Sequence, residues 1–395
     1  MSKNNNKLAI IAPGHHIFDE RVLRTVEEFS KDGHIFVICD VSKDKILKLD
    51  KKLQERVTYI QFPLPHITGF RARIRKIKEL LKIIEKFDLR QFYIHESGTF
   101  GIQIANIVQK KGRTYFDYHD WIPFEIKEKF SNYYLYSLVY FFVRLYIRKV
   151  IKKINLVIFI SNAARDYFSK NYLIVNSHVV PNARKTIIDI GPPKKYDNSH
   201  KNDIEILWIG NVMRLRQIEK IFDLAKCLNN KQPSKKIAIS IWGKIKERQY
   251  AEELMERKKD LGKQISLDFF GEFNSEKEIK IGPSKMTIGI AFGWNEKWST
   301  GMNEISRPTK VASYGVCGIP ALIDSKCTSL IAELENYDAD IPFCSSEDAC
   351  EKVLWLFNNP TIYNSKADNL RNYSHHLYNI SKESVSYLHT LISKN

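Results

Sequence analysis

The sequence lacks any run approaching the roughly 20 consecutive apolar residues that a membrane-spanning helix needs. Its best contender, Leu135 to Val143, is cut off by Arg144. The N-terminal MSKNNNKLAIIAPG carries too short an apolar run for a secretory signal. The expected location is therefore the cytoplasm, at most peripheral on the inner face of the plasma membrane. The six cysteines (Cys39, Cys227, Cys317, Cys327, Cys344, Cys350) form no CxxC pair and no framework spacing, which excludes a disulfide scaffold and fits a reducing compartment. No His/Cys group has zinc spacing. Asp338-Ala339-Asp340 reads as a surface turn, so no metal and no cofactor are expected. Internal repeats of solenoid period are missing as well. Acidic residues are the last shortage: 62 Lys+Arg against 45 Asp+Glu gives a net charge of +17. Residues 1–190 hold 33 and 19, a net of +14, which leaves 29 and 26, or +3, for residues 191–395. A polyanionic partner for the first half follows: a membrane surface, a nucleic acid or an acidic glycan.

What the chain does contain is alternation of buried strands and amphipathic helices. Lys7 to Ala12 is a short apolar strand ended by Pro13-Gly14. Asp19 can cap a helix through Ser30, and Ile35 to Cys39 is a second strand. This opening is Rossmann-like but lacks the full glycine fingerprint. Strands at Phe92 to His95, Thr114 to Tyr118, Leu156 to Ile160 and Ser177 to Val180 continue the pattern. The segment 186–203, rich in Lys, Asp, Asn and Pro, reads as a linker. The alternation restarts at Ile204 to Ile209 and runs through strands at Ile237 to Trp242, Ile265 to Phe270 and Met286 to Ile290. The predicted organisation is residues 1–185, a linker 186–203, residues 204–365 and a final helix 366–395 crossing back. The fold class is α/β, two Rossmann-like βα domains facing across a cleft, with ligands at the strand C-terminal ends.

The stretch Asn303 to Ile323, NEISRPTKVASYGVCGIPALI, is the densest in candidate chemistry. It reads as a loop, a helix opened by Pro308, a turn at Gly318 and a buried strand. Proline suits a helix's first turn, where its missing N–H costs nothing. That turn also points backbone donors one way, an anion site with Arg307 and Lys310 beside it.

In order along the chain, His16 to Val22 with Gly33-His34, YFDYHDWIPFE at Tyr115 to Glu125, Val157 to Phe168, Val180-Pro181-Asn182, Ile209-Gly210 with Arg214 and Arg216, and Arg307 to Pro320 form a series of weak motifs. Together they resemble the GT-B glycosyltransferases, in particular the retaining family four that uses nucleotide sugars. The resemblance implies an acceptor-binding first half and a donor-binding second half. One departure stands out. Such enzymes commonly place a glutamate that holds the donor ribose where this chain has Ser313, and Glu304 lies only near the position of its partner.

The resemblance implies roles for particular residues. Arg214, Arg216 and Lys310 would neutralise the leaving diphosphate, which needs no metal in principle. Gly210, Asn303, Glu304, Arg307 and Ser313 complete the donor set, with Gly14 and His15 as the loop over the diphosphate. His119 would hydrogen-bond the transferred sugar, with Asp120 beside it and Glu96 on the same sheet edge as further catalytic candidates. The first half's charge has its own pattern. Phe70 to Phe87 carries Arg71, Arg73, Arg75 and Lys78 around an apolar stripe. Phe130 to Lys153 carries Tyr140 and Phe141 among other aromatics, with Arg144 and Arg148 toward its end. Amphipathic basic-aromatic helices suit an anionic bilayer, although such stripes are usually buried on a sheet. The expected function is transfer of a sugar from a nucleotide sugar to a lipid-linked or envelope glycan. The alternatives are a nucleic-acid-modifying transferase, which no recognised motif supports, a sugar-nucleotide epimerase, and an accessory protein whose Ser313 marks a lost donor site.

Overall fold

The computed structural model describes residues 7–16, 19–40, 50–63, 70–95, 98–119, 133–183, 195–196, 203–273, 276–279, 281, 285–293 and 302–394. They divide into two compact units: Met1–Pro181 with Ile380–Asn395, and Asn182–Asn379. Each is organised on one parallel sheet.

The first sheet contains β1 (Leu8–His16), β2 (Ile35–Asp40), β3 (Val57–Gln61), β4 (Gln91–Ile94), β5 (Arg113–Tyr118), β6 (Leu156–Phe159) and β7 (Ser177–Val179), in the order β3-β2-β1-β4-β5-β6-β7. Its central strands are buried on both faces, which is why LAIIA and IFVIC are continuous apolar runs rather than alternating ones. The chain steps from β1 outward to β3, then returns to lay β4 on the other side of β1. Loops leaving β1 and β4 therefore diverge, and a crevice opens at their C-terminal ends. The second sheet repeats the device with β8 (Asp203–Ile209), β9 (Lys236–Trp242), β10 (Ile265–Gly271), β11 (Lys285–Ala291), β12 (Ala321–Asp324) and β13 (Pro342–Phe343) in the order β10-β9-β8-β11-β12-β13. Here the reversal falls between β8 and β11.

Local signals explain the helices that matter. Asp19 caps the Glu20–Phe29 helix, accepting from Arg21 N and Val22 N. The Thr309–Cys317 helix has Pro308 at its N-cap, one residue outside the expected position, and ends at Gly318 with φ 69°, a left-handed conformation that favours glycine. The last helix is continuous from Pro360 to Lys394; it starts before the expected Lys366 because Pro360 is tolerated in a first turn. Its residues through Asn379 belong to the second unit and the rest to the first. Of the expected linker, Lys195, Tyr196 and Asp203 lie within the described residues. Tyr196 is buried in the second unit and exchanges backbone hydrogen bonds with the Asn364 amide at 2.9 and 2.8 Å.

The two basic helices differ. Phe70–Phe87 buries Leu80 and Ile84, leaving Arg71, Arg75 and Lys78 exposed. Its apolar stripe thus serves the core, and Arg73 is half-buried, donating to Thr99 Oγ1 at 3.1 Å. The Tyr133–Ile151 helix buries Tyr136, Ile147 and Val150 but turns Leu135, Leu138, Phe141, Phe142, Leu145 and Tyr146 outward, with Phe142 61% exposed. Arg144 and Arg148 are not part of that outer face. Both bond the Asn171 carbonyl at the end of the Asn162–Tyr172 helix, where a cation offsets the dipole's negative end. None of the described helices is long and apolar enough to cross a membrane.

Candidate active site

Three histidines converge at the first sheet's reversal point. His15 lies in β1, His95 directly follows β4, and His119 directly follows β5. Their ring centroids are 5.4, 5.3 and 5.0 Å apart, and their ligand atoms lie within 4.8 Å of one another. They could share one cation or one ligand with several hydroxyls. Below them sits Asp117, fully buried. Arg21 binds it through two 2.8 Å bonds, from Nε to Oδ2 and from Nη2 to Oδ1, and Tyr93 donates to it at 3.1 Å. The same guanidinium donates to the Val180 carbonyl at 2.6 Å. Asp117 in turn lies 3.7 Å from His95 Nε2 and 3.5 Å from His119 Nδ1, and Asp19 lies 3.4 Å from His15 Nδ1. Each histidine therefore has a carboxylate within 3.7 Å, close enough to bias its tautomer.

The charges follow from burial and pairing. Burial would raise the Asp117 carboxyl, but Arg21 and then the neighbouring histidines outweigh it and hold the group well below the usual carboxylate range. Burial pushes His95 down to about 3, with Asp117 offsetting only part of the effect, so its imidazole is neutral at physiological pH. Both ring nitrogens of His95 are buried and lack a hydrogen-bond partner among the described residues. A neutral, fully buried imidazole beside two others is a donor and acceptor kept ready for a polar ligand.

The second unit carries a pocket of about 350 Å³ at its own reversal point, lined by Gly210, Asn211, Arg216, Gly243, Lys244, Phe273, Pro308, Thr309, Lys310 and Ser313 among others. Tyr314, fully buried, is next to Ser313 in sequence. Its hydroxyl donates to Ile290 O at 2.9 Å and accepts from Ile209 N at 3.2 Å, strapping the ends of β8 and β11 together. Gly243 must be glycine: its φ is 147°, and a Cβ there would meet Gly210 O at 2.1 Å. Lys310 is only 7% exposed, lies over the Trp208 ring at 3.1 Å, and its ammonium has no hydrogen-bond partner among the described residues. Burial, and secondarily Arg216, push its pKa well below the ordinary lysine value. Lys310 in the first turn of this nine-residue helix and Arg216 on the pocket lining make the site suited to an anion.

The remaining expected residues are placed differently. Gly210, Arg216, Lys310 and Ser313 line this pocket; Arg214 does not. It is exposed and makes a bidentate pair with Glu253 at 2.6 and 2.7 Å, because the tight turn Arg214–Arg216 sends the two arginines to opposite sides. Arg307 lies outside the lining and is half-buried against Glu333. Glu304 is exposed, while Asn303 is buried against Gly293. Gly14 lies in β1. Glu96 and Asp120 fall outside the described residues. Asp338 and Asp340 share Lys366 at 2.7 and 3.6 Å. Sequence reasoning missed Arg21, Asp117, Lys244 and Phe273. An aspartate inside the otherwise apolar RTYFDY was a signal, since a buried carboxylate needs a cation.

Two parallel sheets, each with a reversal-point site, one of them suited to an anion, match the GT-B fold. The comparisons narrow this further. Residues 20–186 match the family model described as Glycosyltransferase Family 4. An uncharacterised glycosyltransferase of Methanocaldococcus jannaschii, MJ1069, is 25% identical over 298 residues, covering 69% of this chain and 71% of that protein. The Anabaena protein HepE, solved in complex with UDP and glucose, aligns with a TM-score of 0.65 at 13% identity over 97% of this chain and 99% of its own. WaaG, a glycosyltransferase involved in lipopolysaccharide biosynthesis, aligns at 0.66 and 13% identity over 96% and 99%. The likeness to glycosyltransferase family four thus lies in residues 20–186, and the two parallel sheets have the GT-B fold of solved glycosyltransferases.

Proposed function

We propose that this enzyme transfers a sugar from a nucleoside-diphosphate sugar to a lipid-linked or envelope glycan at an anionic membrane surface, with retention at the anomeric carbon and without a required metal. The observation that carries the donor side is Lys310: a buried ammonium beside Arg216, with no hydrogen-bond partner among the described residues, is costly unless an anion completes it. A diphosphate meets that need, and the complex of HepE with UDP supports the choice. In the reaction the bond from the anomeric carbon to the diphosphate oxygen breaks. The acceptor hydroxyl oxygen bonds the same carbon, and its proton passes to the departing diphosphate. Arg216, Lys310 and the helix amides stabilise the charge that develops on the leaving group. The histidines of the first unit hold sugar hydroxyls, His95 as a neutral donor and acceptor.

The acceptor side rests on the outward face of the Tyr133–Ile151 helix. Leu138, Phe141 and Phe142 are each more than half exposed, on a unit that carries most of the positive charge. Monomeric proteins seldom leave such a face in water, and a basic surroundings with aromatic anchors fits a lipid headgroup layer. The role of WaaG in lipopolysaccharide assembly is consistent with that choice.

The test is a thermal-shift panel of UDP-, GDP-, ADP- and CMP-sugars, followed by transfer assays with the binders in EDTA. One nucleotide sugar raising the midpoint, and turnover persisting in EDTA, is the expected result. No response to any of them would remove the donor reading. Co-sedimentation with phosphatidylglycerol vesicles but not phosphatidylcholine vesicles tests the acceptor side.

A further inference from the structure

The histidines of the first unit can do more than hold a sugar. One ring nitrogen from each of His15, His95 and His119 lies within 4.8 Å of the others, the only such group among the described residues. The three come from β1 and from the ends of β4 and β5, strands that neighbour one another in the sheet, so backbone pairing sets their spacing. They are remote in sequence, which is why no zinc-type spacing marks them. His95 is fully buried, and neither of its ring nitrogens has a hydrogen-bond partner among the described residues. A buried imidazole in that state is costly unless something outside the chain meets it.

The surroundings favour a cation. His15 Nδ1 lies 3.4 Å from Asp19, His95 Nε2 lies 3.7 Å from Asp117, and His119 Nδ1 lies 3.5 Å from the Asp117 carboxylate and 3.2 Å from its carbonyl oxygen. An oxygen beside one ring nitrogen draws the imidazole proton there and leaves the lone pair on the other nitrogen, the tautomeric state in which histidine ligates a metal. Asp19, whose other contacts include the amides of Arg21 and Val22, adds negative charge. Zinc at about 2.1 Å from three imidazole nitrogens would hold them about 3.4 Å apart. Closing from 4.8 Å takes roughly 1.4 Å, shared between two rings whose last torsion is soft. Imidazole donors suit Zn²⁺ and its first-row neighbours, whereas Mg²⁺ and Ca²⁺ take oxygen. Three protein ligands leave a fourth position for water.

We infer that His15, His95 and His119 form a site for Zn²⁺ or a similar divalent first-row ion, and that the bound ion inhibits transfer by taking the lone pairs that otherwise receive sugar hydroxyls. The site stands on the geometry of the first unit alone. The inhibition rests on the reading above that these histidines hold the transferred sugar.

The test is titration of the full-length, EDTA-treated and dialysed enzyme with Co²⁺, followed by visible absorption. The expected result is the strong visible band of four-coordinate cobalt at a single equivalent, without a near-ultraviolet sulfur-to-cobalt band, and its loss on adding Zn²⁺. His15→Gln and His119→Gln, each checked for an unchanged melting midpoint, should weaken Co²⁺ binding roughly tenfold or more. Cys344→Ser, which removes an exposed thiol, should leave the spectrum as it is. In transfer assays Zn²⁺ should inhibit and EDTA should restore the rate, and the nucleotide sugar that binds should displace the cobalt spectrum where its nucleoside diphosphate alone does not. The wild-type spectrum is decisive even if a variant fails to fold: weak six-coordinate absorption or a sulfur-to-cobalt band would overturn the site, as would an unchanged spectrum in both histidine variants. Full turnover with Zn²⁺ bound would overturn the inhibition and leave the site standing. Failure of every nucleotide sugar to bind would overturn the donor reading and the inhibition with it, while the cobalt spectrum still decides the site.

Discussion

Replacing Lys310 by Met separates the two roles of a buried charge. In the free enzyme the ammonium is desolvated, lacks a hydrogen-bond partner among the described residues and is opposed by Arg216, so folding works against it. Removing an unsatisfied buried polar group is worth about 1–3 kcal/mol. Loss of the contact with the Trp208 ring offsets about 0.5–2 kcal/mol of that. The net expectation is a second unit more stable by about 1 kcal/mol, or roughly 3 °C in midpoint for a domain of that size. Binding should move the other way: a charge-assisted contact of about 1.5–3 kcal/mol is lost, which is roughly a 10- to 150-fold weaker Kd for the nucleoside diphosphate. The pH dependence has a definite sign. The folded lysine is depressed below its ordinary value of 10.5, so the unfolded chain holds more protons between the two values. Stability of the wild type therefore rises with pH through that window, and the advantage of the Met variant is largest below it and vanishes near 10.5. An arriving diphosphate favours the charged form, so binding takes up a proton and weakens as pH rises. Scanning calorimetry of the free proteins and titration in two buffers of different ionisation enthalpy measure all three quantities. A Met variant that is less stable than wild type and binds the diphosphate equally well would refute the reasoning.

Other outcomes follow from the same geometry. Arg21→Met leaves Asp117 buried without its bidentate partner and should destabilise the first unit by about 3–5 kcal/mol in urea unfolding, whereas an exposed pair such as Lys231 with Glu351 should be near neutral when broken. His95 is held neutral down to about 3 against an ordinary 6.5, so its contribution to stability is complete above 6.5 and is lost as pH falls toward 3; His95→Gln should flatten that part of the stability profile. Arg214→Ala should leave donor affinity within about twofold of wild type in calorimetry, because its guanidinium is occupied by Glu253 outside the pocket. Phe141→Ser with Phe142→Ser should reduce binding to phosphatidylglycerol vesicles at least tenfold with an unchanged melting midpoint, since both rings are exposed.

The strands leading to His15, His95 and His119 and the helix that follows Pro308 were legible as sequence because their signals are local. A run such as IFVIC needs no partner to declare itself buried, and Asp19 caps its helix through amides two and three residues on. The candidates Gly210, Arg216, Lys310 and Ser313 were named from the sequence, and one pocket gathers them. Arg214 shows the limit. In the sequence it is indistinguishable from Arg216, and only the turn geometry sends one into the pocket and the other to Glu253. The amphipathic patterns of the two basic helices were equally ambiguous. Packing decided that Phe70–Phe87 spends its stripe on the core while Tyr133–Ile151 keeps an apolar face outside.

What the sequence alone determined is therefore the succession of strands and helices, the excess of positive charge in the first half, and the strand ends where chemistry could sit. These depend on interactions spanning a few residues. What only the tertiary structure decided is which distant groups meet: Arg21 with Asp117, His15 with His95 and His119, Ser313 with Glu276. Those pairings are set by the order of strands in a sheet, which brings together residues tens of positions apart and leaves no spacing rule behind in the chain.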